Sequence, residues 1–81
     1  MARPSAAARR PGELTTTEAS ARLSLHERTL RRWASQVEHS EPAPVDPGGV
    51  RRDLAGRLWW RTEAISEAAT TLRARYRGDD L

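Results

Sequence analysis

The 81-residue chain contains no cysteine. Neither a disulfide nor a thiolate metal site can therefore hold together a domain too small to build a thick core. Its two histidines, His26 and His39, have no cluster of further ligand-type side chains beside them, and no metal is expected. No stretch of it approaches the roughly 20 apolar residues of a membrane span. The opening MARPSAAARRPG is basic and alanine-rich but lacks the apolar run of a secretory signal. These absences predict one small intracellular domain.

Lysine is missing as well: all 14 basic residues are arginine. A GC-rich genome accounts for such a bias as readily as function does. Either way, the guanidinium fork suits phosphates and guanine edges. The formal net charge is only +3, and Arg3, Arg9 and Arg10, in an opening segment without acids, account for it. The remainder is electrically balanced. Nucleic-acid binding must then be argued from where the charge sits, not from its sum.

The marks of catalysis are also wanting. No histidine lies beside a serine or carboxylate in a nucleophile pattern, and no glycine-rich phosphate loop leads into a helix and a lysine; Gly48-Gly49 reads as a turn in a proline-rich segment. The expectation is a protein without enzymatic activity, cofactor or small-molecule substrate.

What is present is organised. Residues 1–12, punctuated by Pro4, Pro11 and Gly12, read as a flexible basic arm, either a plain tail or a segment that follows a DNA backbone or enters a minor groove. Thr15 and Glu18 have the spacing of a capping box, and Leu14 and Ala19 that of a hydrophobic staple. A helix over about Thr16 to Leu23 follows, with Ala19 and Leu23 one turn apart. After Ser24-Leu25-His26, a second helix runs from about Glu27 to Gln36. Leu30 and Trp33 mark its inner side, with Leu25 just ahead to close the core. Arg28, Arg31, Arg32 and Ser35 take the outer surface. Two short helices joined by so brief a turn fit a helix-turn-helix. Glu27 stands four before Arg31, the order of a surface ion pair. That pair gives Arg31 a structural reading but leaves Arg28 and Arg32 unexplained.

The segment from Val37 to Gly56 is rich in proline and glycine. PAPV, residues 42–45, is a candidate edge strand and RLWW, residues 57–60, a stronger one, with a loop of roughly 12 residues between them. Arg51, Arg52 and Arg57 would project from this hairpin. Adjacent Trp59 and Trp60 must point to opposite faces of a strand. One is expected in the core and the other exposed or against a partner. A last helix starts near the N-cap candidate Thr62 and carries Ile65, Ala69, Leu72 and Tyr76 as an apolar stripe. Arg73, Arg75 and Arg77 fall where the helix dipole favours cations, and Gly78 is expected to end the helix. Residues 13–77 would form the domain and 78–81 a frayed tail.

LTTTEASARLSLHERTLRRW resembles the opening of MerR-like winged helix-turn-helix domains, closest to the small group of phage excisionases, AlpA-like prophage regulators and helix-turn-helix domain 17 proteins. The likeness rests on Leu14, Thr15, Ala19, Leu23, Leu25, Thr29, Leu30, Arg31, Arg32 and Trp33. PAPVDPGG resembles the first wing strand and its turn, and WRTEAI the second strand running into the closing helix. The resemblance implies a mostly α fold with a small β-hairpin wing and a core of Leu14, Ala19, Leu23, Leu25, Leu30, Trp33, Trp60, Ile65, Ala69 and Leu72. It also implies a second helix in the major groove, Thr29 on phosphate, arginines on bases, and a wing touching the minor groove.

The implied role is sequence-specific binding of double-stranded DNA in a bacterial cytoplasm, associated with the nucleoid, as a recombination directionality factor or small transcription regulator of a phage or mobile element. An integrase or further copies of the chain on DNA would be its partners, and a membrane would not. DNA contacts are expected from Arg28, Thr29, Arg31, Arg32, Ser35, Arg51, Arg52 and Arg57. The alternative is a protein-interaction module using a tryptophan and the last helix. Three departures stand out. Ser24 replaces the turn glycine, which would cost a left-handed residue about 1 kcal/mol and suggests a turn of different shape. His26 replaces a small cap. VRRDLAG, residues 50–56, reads as an insertion or an extra helical turn.

Overall fold

The computed structural model describes the backbone of residues 9–80 and the side chains of residues 9–74. Expectations for Arg3 and the rest of the first eight residues, for the side chains of Arg75, Tyr76 and Arg77, and for Leu81 lie outside the described residues.

Helix α1 spans Thr16–Leu23. Its start is built by the capping box: Glu18 N donates to Thr15 Oγ1 at 3.1 Å, and Thr15 N donates to a Glu18 carboxylate oxygen at 2.8 Å. Its end is a Schellman closure, in which Leu25 N donates to Ser20 O at 3.0 Å and Ser24 N to Ala21 O at 3.3 Å. This closure needs a left-handed residue, and Ser24 supplies it with φ 55°. The turn therefore keeps the shape that glycine usually permits, contrary to the expectation from its sequence.

Helix α2 spans Glu27–Glu38, two residues longer than expected. His26 caps it through Nδ1, which accepts from Arg28 N at 3.1 Å. It ends as α1 does. Glu41 N reaches Gln36 O at 2.7 Å, Ser40 N reaches Val37 O at 3.1 Å, and Ser40 is left-handed at φ 56°.

The hairpin lies elsewhere than predicted. PAPV is not a strand: it passes as irregular chain, buries Val45, and leads to a 3-10 turn over Pro47–Gly49 capped by Asp46. Two prolines without backbone N–H explain why it forms no ladder. Strand β2 is Val50–Arg52 and strand β3 is Leu58–Arg61, so VRRDLAG is not a helical turn but the first hairpin strand and its connection. The connection is tight. Asp53 N donates to Arg57 O and Gly56 N to Asp53 O, both at 2.9 Å, with Gly56 at φ 86°. That is a three-residue hairpin loop with its left-handed glycine.

A further strand, β1 at Glu13–Leu14, was not foreseen. It pairs antiparallel with β3, Leu14 opposite Trp60, and gives a three-stranded sheet of order β1-β3-β2 in place of a two-stranded one. Helix α3, Thr62–Asp80, follows β3 directly and runs on past Gly78. Thr62 N and its hydroxyl both donate to Gly12 O, at 2.9 and 3.0 Å. The architecture is a small α+β domain of three helices and one antiparallel sheet among the described residues.

The core lies between the sheet and the helices. Leu14, Ala19, Leu30, Trp33, Trp60 and Ile65 are buried, joined by Ala34, Val45, Ala64 and Ala68; Leu23, Leu25 and Leu72 pack on its margin. Ala69 is only half-buried. Ala68 takes the inward position because it shares a face with Ile65 and Leu72 at helical spacing. Gly49 makes the approach of the 3-10 turn to α3 possible: a Cβ there would fall 2.3 Å from that of Ala64. Among the described residues, no helix is long and apolar enough to cross a membrane.

Candidate nucleic-acid interface

The amphipathicity of α2 sorts its side chains. Leu30, Trp33 and Ala34 are buried, which turns Arg28, Arg31, Arg32 and Ser35 outward, all exposed, with Thr29 half-buried at the border. The arginines are not equivalent. Glu27 accepts from Arg31 at 3.0 Å and, through its other oxygen, from the Thr17 hydroxyl at 3.0 Å. It thus ties α2 to α1 while engaging Arg31. Among the described residues Arg28 and Arg32 form no ion pair. They stand one helical turn apart, so two guanidiniums share one outward stripe.

The hairpin arginines do not form one surface with each other. Alternation along the paired strands sends Val50, Arg52, Leu58 and Trp60 toward the helices and Arg51, Trp59 and Arg61 to the opposite face. Arg52 reaches Glu38 at the end of α2, with contacts of 2.7 and 3.3 Å, and donates to Gly56 O at 2.9 Å. It joins the hairpin to the helix that bears Arg28 and Arg32. Arg51 instead grips the largely buried Glu13 carboxylate of β1 through two contacts of 2.7 and 2.8 Å. A hydrogen-bonded guanidinium holds each carboxyl, Glu13 by Arg51 and Glu38 by Arg52, below the usual carboxylate range.

Trp59 and Trp60 are both buried. Trp60, 0% exposed, fills the core and donates its indole N–H to the Thr16 hydroxyl at 3.0 Å. Trp59 does point the other way, as adjacent strand residues must, yet it is only 2% exposed. The expectation of one exposed tryptophan fails because arginines cover it. The guanidinium carbons of Arg9, Arg51 and Arg57 lie 5.6, 6.0 and 5.9 Å from its ring centroid, a distance at which the ring quadrupole attracts a cation. Arg9 also pairs with Glu18, so the described end of the arm lies against the domain.

Asp53 is the residue sequence reasoning passed over. One carboxylate oxygen accepts from Ala55 N and Arg57 N, both at 2.9 Å. The other accepts the Trp59 indole N–H at 2.9 Å. These hydrogen bonds, the indole's foremost, lower its pKa. The signal was the Asp-x-x-Gly spacing of Asp53 and Gly56, which is turn chemistry. Beside Asp53, Leu54 is fully exposed at the hairpin tip.

Compared with known proteins, the chain matches no family model, no curated protein and no solved structure.

Proposed function

We propose that this protein is a non-catalytic, sequence-specific DNA-binding protein of winged helix-turn-helix type. Helix α2 is presented to the major groove and the β2–β3 hairpin serves as the wing. The observation that carries this reading is the outward pair Arg28 and Arg32, four residues apart on a helix whose opposite side is locked into the core. A rigidly oriented helix with uncommitted guanidiniums is what base and phosphate contact in a major groove requires. Thr29 and Ser35 flank the stripe as hydroxyl donors to phosphate, and Arg57, exposed and in no ion pair among the described residues, is the hairpin arginine available to DNA. Arg31 joins only by exchanging Glu27 for DNA. Arg51 supports the sheet.

The role that follows is an excisionase-type recombination directionality factor or a small transcription regulator of a mobile element. A protein-interaction module built on an exposed tryptophan is less favoured, since neither indole is exposed.

Selection of bound sequences from random duplex DNA at two salt concentrations tests the proposal. Wild type should enrich a defined site, with log affinity falling by about 0.9 per log unit of salt for each phosphate neutralised. Arg32→Ala should weaken binding and relax preference at one base pair if it reads a base, or only shrink the salt slope by about 1 if it touches phosphate. Failure of the wild type to enrich any site, together with salt-insensitive retention, would refute the reading.

A further inference from the structure

We propose that Leu54 is a minor-groove wedge: it enters between two base pairs of the DNA held on α2, unstacks them and bends the duplex. The inference rests on the DNA-binding reading above. Leu54 stands fully exposed on a turn that is anything but loose. Asp53 and its partners close the loop with two backbone hydrogen bonds, two from backbone N–H groups to the Asp53 carboxylate, and one from the buried Trp59 indole. Arg52 adds a bond to Gly56 O. A leucine displayed on so firmly built a platform has lost its freedom to fold back onto the domain.

The shape of the tip selects its occupant. Ala55 and Gly56 are the other tip residues, so the protrusion is one side chain wide. One leucine and one alanine cannot supply the roughly 1,200 Å² of total buried surface at the low end of stable protein interfaces. They also lack the amphipathic helix that lies on a lipid surface. A narrow groove is different. The Arg52–Glu38 pair fastens the hairpin to the end of α2, so the tip, which begins one residue after Arg52, lies close to that end of the helix. With α2 in a major groove, the next groove along the duplex is the minor one, about 6 Å wide. Arg57 at the foot of the tip, which forms no ion pair among the described residues, provides positive charge for the phosphates that border it. Apolar side chains, leucine among them, wedge between base steps in this setting and bend the duplex away from the protein.

The test uses the full chain and a duplex of about 40 base pairs recovered from the random-sequence selection. At that length, well under the persistence length of about 150 base pairs, the free duplex is nearly straight. Dyes at its two ends report bending, and 2-aminopurine placed at successive steps reports unstacking. Wild type should raise energy transfer and brighten 2-aminopurine at one step. Leu54→Ala should lose both signals while still binding with an unchanged salt slope, since no phosphate contact is removed. Leu54→Met should retain them. Thermal melts should coincide, because the side chain touches nothing.

A straight duplex under wild type, or equal bending by Leu54→Ala, overturns the wedge and leaves DNA binding standing. No duplex retained by wild type sinks both. If wild type co-floats with anionic phospholipid vesicles and Leu54→Ala does not, the tip is a membrane contact and the wedge is wrong.

Discussion

Asp53 and Trp59 share one hydrogen bond, from indole N–H to carboxylate at 2.9 Å, and through it a surface turn is anchored to a buried ring. Removing the carboxylate leaves a buried N–H without its acceptor and opens the loop closure at the same time. Asp53→Ala should lower the melting temperature by several degrees and red-shift the tryptophan emission as the hairpin loosens. A melt identical to wild type would mean the turn holds itself without Asp53.

The carboxylates of Glu13, Glu38 and Asp53 all have folded-state pKa values below their ordinary ones, Glu13 chiefly through its hydrogen bond from Arg51. The sign follows directly. Above the ordinary glutamate value of 4.5 both states are ionised and the stabilisation is fully present. As pH falls below it, the unfolded chain binds protons first, and the contribution is lost by the time the folded pKa is passed. Denaturant titrations between neutral pH and pH about 3 should show a plateau followed by an acid decline. Glu13→Gln should lower the plateau and flatten part of that decline. An equally steep decline in the variant would remove Glu13 from the account.

Ser24 occupies a left-handed position that costs a residue bearing a Cβ about 1 kcal/mol. Ser24→Gly should recover up to that amount, less the extra entropy of an unfolded glycine. Since 1 kcal/mol moves the midpoint of a domain this size by about 4–8 °C, a rise of a few degrees in a thermal melt is the expected result. A fall would show that the serine hydroxyl contributes more than its strain costs.

Gly49→Ala places a methyl 2.3 Å from Ala64 Cβ, an overpacking expected to destabilise by about 1–3 kcal/mol. Because one methyl causes the clash, Gly49→Ala with Ala64→Gly should be less destabilised than the sum of the two single changes. Additive behaviour in the double-mutant cycle would place the strain elsewhere.

The parts legible in the sequence are those written in local chemistry. Thr15 and Glu18 cap a helix three residues apart, so the bounds of α1 follow from neighbours alone. The outward side of α2 follows from Leu30 and Trp33. The parts not legible depend on residues distant in the chain. Glu13–Leu14 is too short to show a strand pattern and becomes a strand only because Trp60 and Arg61 lie beside it. VRR carries little β signal; its pairing with Leu58, Trp59 and Trp60 makes it one. Alternation correctly set the two tryptophans on opposite faces. It could not reveal that Arg9, Arg51 and Arg57 converge on the outer one from three separate segments. For the candidate site, the stripe on α2 and the Glu27–Arg31 pair on it were visible, whereas the engagement of Arg51 by Glu13 and of Arg52 by Glu38, from distant segments, was not. Ser24, which argued for a reshaped turn, instead shows that a full set of closing hydrogen bonds can hold a serine in glycine's place.

The union of β1 with β3 also sets a schedule. Glu13 and Leu14 leave the ribosome among the first residues of the domain, yet their partners Arg61 and Trp60 emerge nearly fifty residues later. Helices α1 and α2 can pair as soon as they appear, since their contacts are local, whereas the sheet must wait to bring distant segments together. In a nascent chain halted before β3, Leu30 and Trp33 would lack Trp60, their neighbour in the core cluster. Synthesis of this domain is therefore nearly complete before its apolar surface is hidden, and that interval is when it is most open to a chaperone, a protease or another copy of itself.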